Sequence, residues 1–144
     1  MRIERDLIVK ADRHEIWVLL SDPAEYPTFM PTLERWETLS DGPVDVGSRF
    51  TVHWKIGAAP VGGVIELVEF DAARDLAWVS ITGVSTRGRF RLREVGPHRT
   101  RVSFRLSYQS PGGLLGLLAD QVASRQVGRT LSESLRNLRS LVES

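Results

Sequence analysis

The sequence predicts an α+β fold in which a curved antiparallel sheet of about seven strands wraps around a long C-terminal helix. Three observations predict it. The region from Leu33 to Tyr108 alternates apolar and polar residues with the period of a strand, and clusters of turn-forming residues divide it. Beyond it, Leu131, Leu135 and Leu138 recur with helical spacing. Two capping patterns near the start add two short helices after the first strand.

The opening residues predict a strand followed by a short helix. Met1–Lys10 passes from alternating charged residues into the apolar run LIV, which is typical of a strand. Asp12 followed by Glu15 has the form of a capping box, in which a side-chain oxygen accepts from an early helical amide and the third helical residue reaches back. We therefore expect a helix from about Arg13 to Leu20.

The segment SDPAEYPTFMP, which follows, places large apolar residues between prolines. Pro23 suits the first position of a second, very short helix, because its missing amide hydrogen is not needed there. Pro27 disfavours helical geometry in the residue before it, so we expect this helix to end near Tyr26. Tyr26, Phe29 and Met30 either anchor a turn or form the rim of a ligand cavity, for which the unbranched methionine side chain is well suited.

The middle of the chain predicts a meander of antiparallel strands that precedes the final helix. We expect this helix from Gly113 to Val142, about 45 Å long at about 1.5 Å per residue, after a hinge at Ser110–Gly113. Its apolar stripe needs a sheet to cover it, and the meander supplies one. The predicted strands are Leu33–Leu39, Arg49–Ile56, Val64–Phe70, Leu76–Thr82, Gly88–Val95 and Arg101–Tyr108.

Composition limits the classes of protein to consider. A chain of 144 residues has the size of one domain, residues 1–144, and can bury roughly 70% of the surface that its unfolded form exposes. Its 19 basic and 18 acidic residues give a net charge of +1, which does not favour a nucleic-acid partner. The absence of cysteine excludes disulfides and thiolate chemistry.

The sequence also carries expectations about location and assembly. The start has charges on both sides of a short apolar run, so it lacks the form of a signal peptide. No apolar stretch approaches the roughly 20 residues of a membrane span. We therefore expect a cytoplasmic protein without stable membrane insertion, present as a monomer or homodimer.

Catalytic and metal-binding motifs are missing from the sequence. His14, His53 and His98 fall on a predicted helix start, a strand and a turn, without the spacing of convergent metal ligands. Neither a G-x-S-x-G elbow nor a phosphate-binding G-x-x-x-x-G-K loop is present. We therefore predict no metal and no cofactor.

Arginines alternate from Arg87 to Arg93 and recur at Arg101 and Arg105, opposite apolar residues of the same strands. One interpretation is a surface for an acidic partner or a phosphate group. The preferred interpretation is the solvated outer face of a half-buried sheet, since the chain is nearly neutral and no aromatic residues interleave. The acidic residues expected to balance this face are Glu66, Glu69 or Glu94.

Several segments resemble one known family in their order and spacing. They are ADRHEIWVLLSDPAEYPTFMP, GPVDVGSRF, VIELVEFDAARDLAW and TLSESLRNLRSLVE. Together they resemble the SRPBCC or START-like (birch-pollen-allergen-like) superfamily, in particular the bacterial polyketide cyclase/dehydrase and lipid-transport family. The resemblance covers nearly the whole chain, and Phe29 stands where many relatives carry tryptophan. It implies the helix-grip fold, in which the sheet and the last helix leave a cavity between them.

Alternation along the strands and the resemblance together predict which residues line this cavity. The inward faces of the strands carry the aromatic residues, and a few hydroxyl groups accompany them. His53 has the opposite parity to its aromatic neighbours, so we do not include it. The candidate ligand-binding residues are Tyr26, Phe29, Met30, Phe50, Val52, Trp54, Trp78, Ser80, Thr82, Phe90, Phe104, Tyr108, Leu118 and Val122.

Three functions are compatible with the sequence. The preferred one is binding of a small hydrophobic ligand of lipid, polyketide or aromatic type in the cavity. The second is an aromatase/cyclase or dehydratase acting on a polyketide-type substrate, which needs a general base that Tyr26, Ser80, Thr82 and Tyr108 do not readily supply, so whether the chain is an enzyme stays open. The third is a protein-interaction or growth-regulatory module that uses the arginine-rich face.

Overall fold

A computed structural model of the chain describes residues 2–56, 59–83, 85–108 and 114–144, with the side chains of 56–61 and 114–123 left outside the description. It confirms the predicted α+β helix-grip architecture, a curled antiparallel sheet with a long C-terminal helix. A 3-10 helix, Pro23–Thr28, follows the first helix. The other elements are β1 (Arg2–Val9), α1 (Arg13–Leu20), β2 (Leu33–Thr38), β3 (Arg49–Ile56), β4 (Ala59–Asp71), β5 (Asp75–Ser80), β6 (Thr86–Gly96), β7 (Arg99–Tyr108) and α2 (Leu114–Glu143).

The described strands form one sheet in the order β1-β7-β6-β5-β4-β3-β2, with every neighbouring pair antiparallel. Strands β2 to β7 form a meander, and β1 closes the far edge against β7. Register shifts interrupt β2, β4 and β6, and such irregularities increase the local twist of a sheet. The sheet therefore curls and presents a concave face to α2.

The helix starts follow the predicted capping with one difference. The Asp12 carboxylate accepts a hydrogen bond from the His14 amide at 2.8 Å, and this bond lowers the pKa of Asp12. Among the described hydrogen bonds, none returns from the Glu15 side chain to Asp12, so only half of the capping box forms. The 3-10 helix continues past Tyr26 to Thr28, because Pro27 removes only its own N–H from the helical bonding.

The final helix lies on the concave face through the predicted leucine stripe. Leu131, Leu135 and Leu138 are at most 1% exposed. Near its end, the Asn137 side-chain amide donates to the Phe29 carbonyl at 3.1 Å, which ties α2 to the 3-10 helix. In the described residues, no helix combines the length and apolar character needed to cross a membrane.

Strand β4 is longer at its start than the sequence predicts. Strand β4 begins at Ala59 rather than Val64, because Gly62 and Gly63 pair with His53 and Val52 of β3 instead of forming part of a turn. The predicted hinge at Ser110–Gly113 falls outside the described residues. The final helix, predicted from Gly113, is described from Leu114 onward.

The arginines lie on the convex face of the sheet, as the alternation along β6 predicts. Glu69 contacts Arg89 at 2.6 Å, but the predicted partner Glu66 pairs with Arg49 instead. Glu94 forms no ion pair among the described residues. The sequence did not indicate Asp75, which is 7% exposed and contacts three arginines on β6.

Candidate ligand-binding site

The concave face is divided into a packed aromatic core and a small cleft. In the core, Tyr26 lies 4.8 Å from Trp36 and 5.5 Å from Phe29, and Phe90 stacks on Phe104 at 4.2 Å between ring centroids. Edge-to-face and offset contacts of this kind are favourable beyond the area that the rings bury. These rings therefore fill the space between the sheet, the 3-10 helix and α2.

Tyr26 fixes the segment that carries two of the large apolar residues. Its hydroxyl donates to the Leu20 carbonyl at 2.6 Å, at the end of α1. The side chain has no exposed surface, and this burial raises the pKa of Tyr26 far above its ordinary value. Tyr26 is therefore a neutral hydrogen-bond donor that holds the 3-10 helix against α1.

Replacing this hydroxyl tests its role. Tyr26→Phe should lower the free energy of unfolding by about 1–2 kcal/mol, because the Leu20 carbonyl loses a buried donor. In the unfolded wild type, the Tyr26 hydroxyl ionises near pH 10, whereas in the folded protein it stays protonated. The free energy of unfolding should therefore fall as the pH rises above 10. Urea unfolding between pH 8 and pH 11 measures both effects. A wild type and a variant with the same slope above pH 10 would contradict this assignment.

The cleft lies beside the core, at the end of the concave face where β3, β4 and β5 meet. It encloses about 20 Å³ of free space, enough for about one water molecule. Its walls are mostly aromatic and aliphatic, and the polar side-chain groups of the residues that line it are hydroxyls and the N–H groups of three indoles. The described residues that line it are Trp36, Val52, Trp54, Gly62, Gly63, Ile65, Trp78, Ser80, Thr82, Thr86 and Leu106.

Two tryptophans of the wall differ in their hydrogen bonding. The Trp54 indole donates to the Pro31 carbonyl at 3.0 Å. The Trp36 Nε1 is buried and has no hydrogen-bond partner among the described residues. Buried donors are nearly always paired, and leaving one unpaired costs about 1–3 kcal/mol. Trp36 is thus a residue of the cleft wall whose buried indole donor has no partner in the described part of the chain.

The hydroxyl groups of the wall are already oriented. Ser80 Oγ accepts from the Thr86 amide at 2.9 Å, and Thr82 Oγ1 accepts from the Val64 amide at 2.9 Å. A hydroxyl that accepts one bond still has a proton to donate. Ser80 and Thr82 therefore each keep a hydroxyl proton for donation, in a wall that is mostly apolar.

Gly63 permits the close approach of β4 to residues 81–83 at the edge of the cleft. Its φ is +134°, in a region that residues with a side chain rarely adopt, and a Cβ there would overlap the Thr82 carbonyl. The glycine is therefore needed to bring Thr82 within reach of the Val64 amide.

The structure distributes the predicted ligand-binding residues over three places, and their binding role stays a prediction. Those that line the cleft are Val52, Trp54, Trp78, Ser80 and Thr82. Those that are at most 1% exposed in the aromatic core are Tyr26, Phe29, Met30, Phe50, Phe90 and Phe104. Tyr108 is partly buried against this core. The side chains of Leu118 and Val122 lie outside the described residues.

Sequence reasoning missed several residues of the cleft, and the reasons differ. Ile65, Thr86 and Leu106 have inward parity on their strands, so the alternation could have identified them. Trp36 could not be identified in this way, because a register shift between Leu33 and Arg35 puts Leu33 and Trp36 on the same face at a spacing of three.

Ionisable groups are distributed away from the cleft. No carboxylate or imidazole lines it among the residues that the structure describes. His53 is exposed, in keeping with its opposite parity on β3. Over the same residues, no three His, Cys, Asp or Glu side chains converge closely enough to hold a metal ion.

The curled sheet and its long C-terminal helix define a protein of the helix-grip fold class. The family model for polyketide cyclase / dehydrase and lipid transport matches residues 1–143, and the chain belongs to this family. The comparison with curated proteins gave no match.

Solved structures of the same fold come from several bacteria. A protein of Thermus thermophilus has a TM-score of 0.85 at 16% identity, covering 99% of this chain and 97% of its own. The Zhui aromatase/cyclase of a Streptomyces species has a TM-score of 0.82 at 20% identity, covering 99% and 93%. A START superfamily protein of Mycobacterium smegmatis has a TM-score of 0.77 at 17% identity, covering 99% and 97%. At these identities the likeness concerns the fold.

Proposed function

We propose that this protein binds a small hydrophobic molecule that carries a carbonyl or hydroxyl oxygen, with that oxygen accepting a hydrogen bond from the Trp36 indole. The observation that supports this most directly is the buried Trp36 Nε1, which has no partner among the described residues. An oxygen of a bound ligand would satisfy this donor, and the hydroxyls of Ser80 and Thr82 lie on the same cleft.

The cleft walls indicate the chemical character of the remainder of the ligand. Aromatic and aliphatic surface favours an apolar body, for which burial contributes about 25 cal/mol per Å². The free space of about 20 Å³ is smaller than any such molecule, so the walls have to separate on binding. The proposal therefore includes an expansion of the cleft, in which the side chains of Trp36 and Trp78 move apart from their present contact at 5.3 Å.

A pair of ligands and a pair of variants test the proposal. We expect 2-acetylnaphthalene, a ketone, to bind more tightly than the hydrocarbon 2-ethylnaphthalene. Trp36→Phe should raise the Kd of the ketone about tenfold, the equivalent of one hydrogen bond, and leave the Kd of the hydrocarbon nearly unchanged. The matched control is Trp17→Phe, because Trp17 packs on Phe70 away from the cleft.

Titration followed by intrinsic fluorescence and by calorimetry measures these constants. Mass spectrometry of an organic extract of the purified protein searches independently for a natural ligand. The proposal would be overturned if Trp36→Phe raised the Kd of the ketone and of the hydrocarbon by the same factor. It would also be overturned if the wild type bound neither ligand.

A second candidate is catalysis of cyclisation or dehydration on a polyketide-type chain. The family includes cyclases by its description, and one structure of the same fold is an aromatase/cyclase. The donors of the cleft could polarise a carbonyl, but the described wall contains no carboxylate or imidazole to act as a base. Adding the protein to a minimal polyketide-producing system tests this, and an unchanged product profile would exclude that substrate class.

A further inference from the structure

A second pocket lies on the convex face of the sheet, on the side opposite the cleft. It has a volume of about 260 Å³, and Arg2, Arg87, Arg89 and Arg105 are among the residues that line it, together with Ser107. Three adjacent strands supply these arginines. The pairing register places Arg89 opposite Arg105, and Arg87 and Arg2 on either side of Ser107.

The opposition of Arg89 and Arg105 is unusual for a surface whose role is only solubility. Like charges directly opposite each other on neighbouring strands destabilise a sheet, and opposite charges are the favourable choice. Burial and the neighbouring guanidinium groups of Arg2 and Arg89 lower the pKa of Arg105. Arginine nevertheless keeps its charge at neutral pH, so the repulsion persists in the folded protein.

The carboxylates of the convex face compensate only part of this charge. Glu69 contacts Arg89 at 2.6 Å, and Asp75 lies 3.6 Å from the same side chain. Glu4 is 3.9 Å from Arg2 in an exposed pair, which contributes little. Arg87 and Arg105 form no ion pair within the described part of the chain. Glu4 lies opposite Arg105 in the register of β1 and β7 and offsets part of its charge, whereas Arg87 has no carboxylate partner in the same part of the chain.

We propose that this pocket binds a phosphate group, with Arg87 and Arg105 as its main ligands, Arg2 closing one side and the Ser107 hydroxyl donating from the floor. Planar guanidinium groups bind phosphate oxygens in a bidentate manner. Arginines that reach a point from several directions match a tetrahedral, doubly charged anion better than a planar carboxylate. Arg89 is already paired with Glu69, and its role is to position the neighbouring arginines. The lining of this pocket shares only Trp78 with the lining of the concave cleft, among the described residues.

Calorimetric titration with pyrophosphate and with inorganic phosphate tests the proposal on the full chain, at constant ionic strength. Arg105→Gln and Arg87→Gln should each weaken pyrophosphate binding about tenfold or more, as expected for loss of a charge-assisted hydrogen bond. The matched control is Arg101→Gln on the same strand, because Arg101 is exposed and outside the pocket. Its Kd should change less than about twofold.

Thermal unfolding provides a second measurement. Pyrophosphate should raise the Tm of the wild type and of Arg101→Gln, but not that of Arg105→Gln. Without anion, Arg105→Gln should be about as stable as the wild type, since the lost attraction to Glu4 offsets the repulsion removed from Arg89. Titration with citrate tests whether the pocket binds carboxylates as well as phosphate. Titration with a short single-stranded oligonucleotide tests whether the anion binds to an extended arginine surface rather than to the pocket.

The outcomes are distinct. Weak citrate binding together with loss of pyrophosphate binding only in the pocket variants supports a phosphate site. Citrate binding equal to that of pyrophosphate, oligonucleotide binding that depends equally on Arg101, or absence of pyrophosphate binding to the wild type would overturn the proposal.

Discussion

Phe29→Ala is expected to lower the free energy of unfolding by about 3–5 kcal/mol, the range for removal of a buried aromatic ring from a core. Phe29 is 1% exposed, and its ring lies 5.5 Å from Tyr26 and 6.3 Å from Phe90 between centroids. Its carbonyl also accepts from Asn137 of α2, so the backbone is held while the ring is lost. The surroundings therefore cannot close the cavity easily.

Chemical denaturation at pH 7 measures this loss. Val18→Ala is the control, because Val18 on α1 is 73% exposed and should change stability by less than about 0.5 kcal/mol. A Phe29→Ala variant that loses less than about 1 kcal/mol but no longer binds 2-acetylnaphthalene would contradict the core assignment and restore Phe29 to the mouth of a cavity.

Phe29 also shows what the alternation of inward and outward residues along a strand cannot predict. Alternation along a strand identifies the inward face, and the residues so identified on β3, β5, β6 and β7 do face inward. Whether an inward residue borders open space or is packed depends on segments distant in sequence. The 3-10 helix covers one end of the concave face with Tyr26 and Phe29, and this contact has no local signal in the sequence.

Irregular pairing accounts for the most important omission at the cleft. A regular strand would put Leu33 and Trp36 on opposite faces, whereas the register shift in β2 puts both inside. The shift depends on how β2 pairs with β3, which a single strand does not encode. The buried Trp36 donor, which supports the proposed function, was therefore hidden from sequence reasoning.

On the convex face, the sequence likewise predicted the side of the sheet but not the contacts between residues. The alternation placed the arginines on the outer side correctly, but their partners depend on the cross-strand register. Asp75 lies opposite Arg91 at the start of β5, where the sequence suggested only a turn. The register likewise brings Arg89 opposite Arg105, and this forms the basis for the proposed phosphate pocket.

Gly88→Ala is expected to destabilise the protein by about 3 kcal/mol, at the upper end of the cost of overpacking a core. Gly88 pairs with Trp78 across β5 and β6, and a Cβ at this position would overlap the Cζ2, Cε2 and Cη2 atoms of its indole. The indole is only 3% exposed and contacts Trp36, Phe90 and Phe104, so it cannot retreat without losing these contacts.

Trp78 forms part of the wall of the cleft, so displacement of its ring changes the shape of the cleft. Gly88→Ala should therefore also abolish binding of 2-acetylnaphthalene, as fluorescence titration under conditions where the variant is folded would show. Gly96→Ala on the same strand is the control, because a Cβ there meets only Arg99 side-chain atoms at 3.9 Å or more.

A second substitution tests the cause. Trp78→Phe removes most of the overlapping atoms, so the double variant Gly88→Ala/Trp78→Phe should be more stable than the sum of the two single losses predicts. The smaller ring leaves room for the Cβ, and the strand pairing between β5 and β6 is then restored. Strict additivity of the two losses would show that the indole does not occupy the space above Gly88, and that the wall of the cleft is not built as described.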